Sequence, residues 1–325
     1  MPVELTSASA LARDDARAAA LAFGLCATRT TLQLSEEATV ARVTTPSHDL
    51  AVKVFDASAV DERTVRWRHE LAALAAARGL PVPQPLRAAD GSLTVTVRLA
   101  GRTVLAQAST WSTGVPLAEC DVDAALLDEV GRVAARLSLA LADAPPPPPH
   151  EPHAWDLRSS AATLTEAVAR VSDPETRTVA LGALRASQGV RDRLDRLPQG
   201  VVHHDLHDEN LRIGGAGAGR RVVGILDFGD ATVGPRIADL VVPAAYAARH
   251  CSDPASAVDA VVEGWRSVSA LEDGELAAIT ALAAVRLATN AAVWRSRADG
   301  PRGEYARTRS RGSLGAARAL LERVR

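Results

Sequence analysis

The periodicity of this chain changes near residue 110, and that change limits what it can fold into. Ahead of it lie five short runs rich in Thr, Val and Leu, at Arg29–Leu34, Ala38–Thr44, Leu50–Phe55, Ser92–Leu99 and Arg102–Ala108, set apart by Ser-Glu-Glu, Pro-Ser-His-Asp and Asp-Gly turns. Such runs, bounded by turn residues, read as strands. Two helical patterns interrupt them. One covers Ala8–Phe23 and stops at Gly24; the other is opened by a Ser58/Asp61 capping signature, runs to Arg78 and stops at Gly79. In the second, Trp67, Leu71 and Leu74 form the apolar stripe, with Glu70 at its inward edge. Past a linker at Ser109–Pro116 the chain turns Ala/Leu-rich and helical, through Asp121–Asp143, Ser159–Asp195 and everything from Pro235 onward. Only Gly200–Phe228 returns to short β runs. The expected architecture is α+β: a small antiparallel-sheet lobe over residues 1–110, a hinge at about 109–116, and a mostly helical lobe over 111–325.

Composition excludes several classes of function. With 325 residues, 47% of them hydrophobic, each lobe has material for a core, and aromatics at 3% make that core aliphatic. A net charge of −2 gives no general pull toward nucleic acid. No apolar run reads as a membrane span, because Arg, Asp or Pro breaks the longest candidates. Glu4, Asp14 and Asp15 stand where a secretory leader needs an apolar stretch, and Cys26, Cys120 and Cys251 are odd in number and far apart. A cytoplasmic protein with free thiols is expected; the oligomeric state has no signature.

One bias singles out residues before any motif is read. Of 37 basic residues only Lys53 is lysine, and only Asn210 and Asn290 are asparagine. A gene that replaces residues wherever their chemistry is interchangeable retains lysine where a compact ammonium must meet phosphate. Asn210 falls in the most informative stretch, Val201-Val202-His203-His204-Asp205-Leu206-His207-Asp208-Glu209-Asn210, followed by Ile225-Leu226-Asp227-Phe228-Gly229-Asp230. Two apolar β runs there end in polar residues around a glycine-rich turn, Gly214–Gly219, which lacks the Gly-Lys of a phosphate loop and reads as a hairpin. Two carboxylates and an amide delivered to one small volume suit Mg²⁺ holding phosphate oxygens, with one carboxylate left to take a proton.

His203-x-Asp205-x4-Asn210 followed by Asp227-Phe228-Gly229 resembles the catalytic loop and metal-binding strand of the aminoglycoside phosphotransferase family, relatives of protein kinases. The resemblance runs end to end. Ala51-Val52-Lys53-Val54 is similar to the family's nucleotide-binding lysine strand, Glu70 to its partner glutamate, and Pro235 through Asp239-Leu240 to the segment that buttresses the loop. Gly79-Leu80-Pro81-Val82-Pro83, Trp155-Asp156-Leu157 and Arg286-Leu287-Ala288 resemble the hydroxylysine-kinase branch.

The resemblance implies a bilobal kinase-like fold and roles by position. Asp205 would accept the proton of the attacking alcohol, while Asn210 and Asp227 hold Mg²⁺ on ATP or GTP. Lys53, paired with Glu70, would grip the α/β-phosphates, with Ser35, Thr110 and Trp111 beside the nucleotide. His203 and Asp239 would support the loop. Asp208, Glu209, Asp230 and, from the Trp155 segment, Asp156 would make the acceptor face acidic and favour an amine-bearing alcohol: hydroxylysine or a related amino alcohol first, an aminoglycoside or basic peptide antibiotic second.

Two positions depart from the family pattern. Ser35-Glu36-Glu37-Ala38 has no glycine to cover phosphates, and His204 stands where glycine is usual. Competing readings are an inactive kinase-like binding module, a metal-dependent hydrolase, and a transition-metal site at His203, His204 and His207. Locally, Lys53 could be an exposed strand charge, Glu70 could pair with Arg66, the Trp155 segment could be packing plus a cap, and Trp265 and Trp294 read as core.

Overall fold

The structure is a computed structural model that describes residues 7–33, 35, 38–99, 101–149, 153–298 and 303–324. The chain divides into two compact units, Met1–Thr113 and Gly114–Arg325.

In the first unit the five β runs form one antiparallel sheet. Strands β1 (Arg29–Gln33), β2 (Thr39–Thr44), β3 (Asp49–Asp56), β4 (Thr94–Leu99) and β5 (Arg102–Thr110) lie in the order β1-β2-β3-β5-β4. Helix α1 (Ser7–Ala22) covers one face: Ala16, Ala19, Ala20 and Phe23 pack on Ala41, Val43, Val52, Val54, Val104, Ala106 and Ala108. Side chains alternate along a strand, so Lys53 faces away from that layer. Its neighbours in register are Val40 on β2 and Gln107 on β5. Gln107 Nε2 in turn donates to Val65 O (3.0 Å) on helix α2 (Glu62–Ala77), so Lys53 shares the α2 side of the sheet.

Helix α2 begins later than the capping signature predicts. Asp61 is its N-cap and accepts from Thr64 N, whereas Ser58 bonds Asp56 across a separate turn. Asp61 competes better because its carboxylate also bonds the Thr64 hydroxyl. The stop is as expected: Gly79 adopts φ +80°, a conformation that costs a side-chain-bearing residue about 1 kcal/mol or more. The linker is shorter than expected, because Ser109 and Thr110 complete β5 and Val115–Pro116 already form strand β6.

The second unit is helical around two small sheets. Strands β7 (Gln199–Val202) and β10 (Thr232–Pro235) pair antiparallel, and β8 (Leu211–Gly214) lies between β6 and β9 (Arg221–Ile225). Around them pack α3 (Ala124–Leu141), α4 (Ser160–Ala169), α5 (Pro174–Arg191), α6 (Ala238–Ala248), α7 (Pro254–Arg266), α8 (Asp273–Arg295), α9 (Gly303–Ser310) and α10 (Ser313–Val324). Helices α3 and α7 meet at Gly131 and Gly264, where a Cβ on either would run into the other helix's backbone at Val261 or Asp128. Trp265 and Trp294 are buried, as their positions predict.

Helix α8 corrects the membrane reading. It is long and apolar enough to span a bilayer by length and composition, with Arg286 in its middle, but 83% of its apolar window is buried inside the unit. Its neighbours α4, α5, α6 and α10 cover it, which makes it the core helix of the unit.

Candidate active site

The chemistry-bearing stretch sits where β7 and β9 end, so every polar residue at issue is held by a strand end or a tight loop. The loop from His203 to Asn210 is fixed by main-chain donors. Fully buried Asp239, in the first turn of α6, accepts from His203 N (3.1 Å) and His204 N (2.8 Å). Burial pushes its carboxyl up to about 7, against the pull of those two donors. His203 Nδ1 accepts from Asp205 N (3.2 Å), which leaves Nε2–H to donate to Leu226 O (3.0 Å) and ties this loop to the one carrying Asp227. Leu226 N donates to Asn210 O (2.9 Å), so the two loops are bonded twice.

His204 explains the glycine usual at its position. It adopts φ +69°, and Asp227 adopts φ +60°; among the described residues these are the only non-glycine residues with positive φ. The loop therefore turns as a glycine would turn it, with an imidazole carried at a backbone cost of roughly 1 kcal/mol. That ring is buried, accepts from Leu157 N through Nε2 (3.1 Å), and is held neutral by burial, at about 3.

Asp205 occupies the centre. Asn210 Nδ2 donates to both its Oδ2 and its main-chain O (2.9 Å each). Arg286 Nη2 donates to Oδ1 (3.1 Å), and His207 Nε2 stands 3.4 Å from Oδ2. Burial and the Asp230 charge push the Asp205 carboxyl well above the ordinary range, with Arg286 pulling the other way. Arg286 is 2% exposed; it lies over the rings of Trp155 (4.9 Å) and Tyr246 (5.6 Å) and donates to Trp155 O (2.7 Å). With Nδ2 spent on Asp205, Asn210 Oδ1 accepts no hydrogen bond from the described residues, and Asp227 is exposed nearby on the bonded loop.

Two hard oxygens suit Mg²⁺, which keeps water and phosphate oxygens in the rest of its shell. A transition-metal site does not fit: among the described residues no three His, Cys, Asp or Glu side chains cluster to hold an ion. His203, His204 and His207 all use ring nitrogens on the protein itself.

Other expected site residues turn out to be occupied structurally. Asp208 is fully buried and takes Arg249 (Nε 2.8 Å, Nη2 2.7 Å) and His250; these partners outweigh burial and hold it far below the ordinary carboxylate range. Asp156 is also fully buried, clamped by Arg158 (Nη2 2.7 Å), whose pull overcomes the burial penalty. Neither carboxylate is free to face an acceptor; Asp156 accepts from Arg158 N (2.8 Å) in a local turn, and Trp155 packs its half-buried ring under Arg286. Glu209 and Asp230 keep partial exposure. In the first unit, Glu70 is exposed rather than at the inward edge of its stripe, and Arg66 pairs with Glu62 instead. Thr110 Oγ1 accepts from Gln84 N (2.9 Å), the Trp111 ring lies under Arg42 (4.9 Å), and Ser35 is partly buried. Glu36 and Glu37 lie outside the described residues.

Arg286 had a sequence signal that carried no role: an arginine midway through an otherwise apolar helix. Arg309 and Tyr246 had none.

A profile of the phosphotransferase enzyme family matches residues 30–308. The chain belongs to that family. Hydroxylysine kinase from Mus musculus is 26% identical over 195 residues, covering 57% of this chain and 52% of the relative, so the chain spans about half the length of that curated protein. Among solved structures, the phosphotransferase fold here is similar to a microcompartment-associated aminopropanol kinase, at 19% identity and TM-score 0.70 over 96% of this chain and 98% of that one. It is also similar to an amicoumacin kinase solved with AMP-PNP and Ca²⁺, at 18% identity and TM-score 0.67 over 91% of each chain. The α+β architecture is thus that of kinase-like phosphotransferases, and membership places the chain among the enzymes that move phosphoryl groups.

Proposed function

We propose that this phosphotransferase is a small-molecule kinase, moving the γ-phosphoryl group of ATP or GTP to a hydroxyl of an amine-bearing acceptor such as hydroxylysine or a related amino alcohol. The observation that carries this reading is the bonded set Asp205, Asn210 and Asp227. Asn210 spends its amide hydrogens on Asp205, holds an unused oxygen, and shares a main-chain bond with the loop of Asp227.

In this reading Asn210 and Asp227 hold Mg²⁺, which when bound draws charge from the phosphoryl oxygens. Asp205 takes the hydroxyl proton as the oxygen attacks, and Arg286 and Asn210 fix which carboxylate oxygen faces it. Burial raises the Asp205 carboxyl and makes it a stronger base, while Arg286 beside it favours the charged form. The first unit supplies nucleotide contacts. Lys53 grips the α/β-phosphates, Glu70 offers a solvent-facing counter-charge, and Ser35, Thr110 and Trp111 border the nucleotide. Lobe limits of 1–110 and 111–325, with a hinge at about 109–116, go with this division of labour. Support for a nucleotide and a divalent cation comes from the similar amicoumacin kinase; support for an amine-bearing acceptor comes from the relative named for hydroxylysine and the fold neighbour named for aminopropanol.

Release of nucleoside diphosphate, followed across hydroxylysine, amino alcohols, aminoglycosides and neutral sugars, tests the proposal. Acceptor-dependent release with amine-bearing alcohols supports it; release only with neutral sugars refutes the cationic-acceptor reading.

A further inference from the structure

Four arginines of the second unit each hold a carboxylate that is buried or nearly so. Arg286 pairs with Asp205, Arg249 with Asp208, Arg158 with Asp156 and Arg236 with Glu275. Arg309, at the end of α9, has no carboxylate within ion-pairing distance among the described residues, and its Nε is buried without an acceptor. Its one close polar neighbour is His207 Nε2, 3.3 Å from Nη2. That contact is not a hydrogen bond. His207 Nδ1 accepts from Glu209 N (3.0 Å), so the neutral ring carries its proton on Nε2, and two donors face each other. A guanidinium so placed, over the Trp294 ring at 5.7 Å and beside the ring that touches Asp205, feels the charges of Asp205 and Glu209 but has no carboxylate among the described residues bonded to it.

The main chain of Arg309 is also built into place. Asn290, one of two asparagines in the chain, is 1% exposed; with its amide turned to satisfy every neighbour, it donates to Arg309 O and Ser313 Oγ (2.9 Å each) and accepts from Tyr246 OH (2.9 Å) and Trp294 Nε1 (3.2 Å). Arg249 Nη1 donates to the same Arg309 O (2.8 Å), and Asp208 anchors Arg249. The acidic residue that reads in sequence as a substrate contact thus holds a cation-bearing segment against the site.

We infer that Arg309 receives a carboxylate of the acceptor, so that the substrate class is a hydroxy amino acid, with its ammonium toward Asp230 and Glu209, rather than a simple amino alcohol. This rests on the kinase reading above and selects within it. A guanidinium presents paired donors that match a carboxylate, and a half-buried one with no ion pair and a buried, unbonded Nε gains from it.

The test uses acceptor pairs that differ only in the carboxylate: 5-hydroxylysine against 1,5-diaminopentan-2-ol, and threonine against 1-aminopropan-2-ol. For each, kcat/KM is measured with Mg-ATP, and equilibrium binding is measured by calorimetry on the same protein without nucleotide. Wild type should prefer the carboxylate-bearing member of at least one pair by about 30-fold or more, in binding as in turnover. Arg309→Met should shrink that ratio to within about threefold, and Arg309→Lys should restore part of it, with melting temperatures confirming that each variant is folded. Equal use of both members, binding of neither, or a ratio unmoved by Arg309→Met would overturn the inference. Carboxylate-selective binding without phosphate transfer would leave Arg309's role standing and sink the kinase reading instead.

Discussion

Replacing Arg286 with Met removes the cation that faces Asp205 while keeping a long apolar side chain between Trp155 and Tyr246. At 3.1 Å and an effective dielectric constant near 20, the direct attraction between the two charges is about 5 kcal/mol. Breaking a fully buried pair costs about 3–5 kcal/mol, and Asp205 keeps 20% of its side chain exposed, so water recovers part of that. A net loss of about 2–3 kcal/mol in holding an ionised, oriented Asp205 corresponds to a roughly 30- to 150-fold fall in kcat. The KM for nucleotide should move little, because Arg286 touches no residue assigned to it. Arg286→Lys should recover only part of the loss, since an ammonium cannot reach Asp205 Oδ1 and Trp155 O together while lying over two rings. The assay is steady-state diphosphate release, with thermal melting of each variant beside it. Turnover of Arg286→Met within threefold of wild type, in a folded protein, would refute the claim that this arginine sets the state of Asp205.

Acid should loosen the catalytic loop before it protonates ordinary carboxylates. His204 and His207 are held neutral at about 3 and about 4, against an ordinary 6.5, so between about pH 4 and 6.5 the unfolded chain binds two protons the folded one refuses, and stability falls as pH drops. Buried His69, held at about 4, adds a third such proton; Asp239, at about 7, and Asp205, raised by burial and the Asp230 charge, run the other way, because the folded state keeps two protons the unfolded chain has lost above about 4. The net of one proton gives about 1.4 kcal/mol per pH unit, read as a melting temperature that declines from pH 6.5 to 5; a flat profile there would contradict these burial arguments. At position 204 the backbone, not the ring, should separate two truncations: His204→Gly should be more stable than His204→Ala by about 1 kcal/mol in urea unfolding, and equal midpoints would deny the strain at φ +69°. Lys53→Met should weaken nucleotide binding by roughly 10- to 100-fold, with Lys53→Arg a poor substitute, as titration with a fluorescent nucleotide analogue would record.

Much of this molecule was legible in its sequence because the signals were local. All five strands of the first sheet could be read from β-branched runs and turn residues, and the stops at Gly24 and Gly79 from the need for positive φ. The loop motif was legible too, since strand ends deliver Asp205, Asn210 and Asp227 at fixed spacing. What failed were inferences from charge alone. Asp208 looked like a substrate contact because acidic residues crowd the motif, yet it meets Arg249, which only tertiary packing brings from 41 residues away; Asp156 meets Arg158 two residues on, a local pair fixed by the tertiary bond from Arg158 to Val233 O, 75 residues away. Glu70 was misplaced for a geometric reason: the buried face of α2 runs through Leu71, Ala72, Ala75 and Ala76 and is not centred on Trp67, Leu71 and Leu74, which turns Glu70 outward. His204 shows the reverse case, a departure from glycine that changes the side chain and leaves the turn intact.

The central claim is that Asp205 deprotonates an acceptor hydroxyl while Asn210 and Asp227 hold the metal on the nucleotide. Its most direct test is ³¹P product analysis of wild type and Asp205→Asn with Mg-ATP and 5-hydroxylysine. The account predicts a phosphomonoester on the acceptor with wild type, and with Asp205→Asn a fall in its formation of about 100-fold or more while nucleotide binding persists. Inorganic phosphate as the only product, or a phosphomonoester formed equally fast without the Asp205 carboxylate, would contradict it.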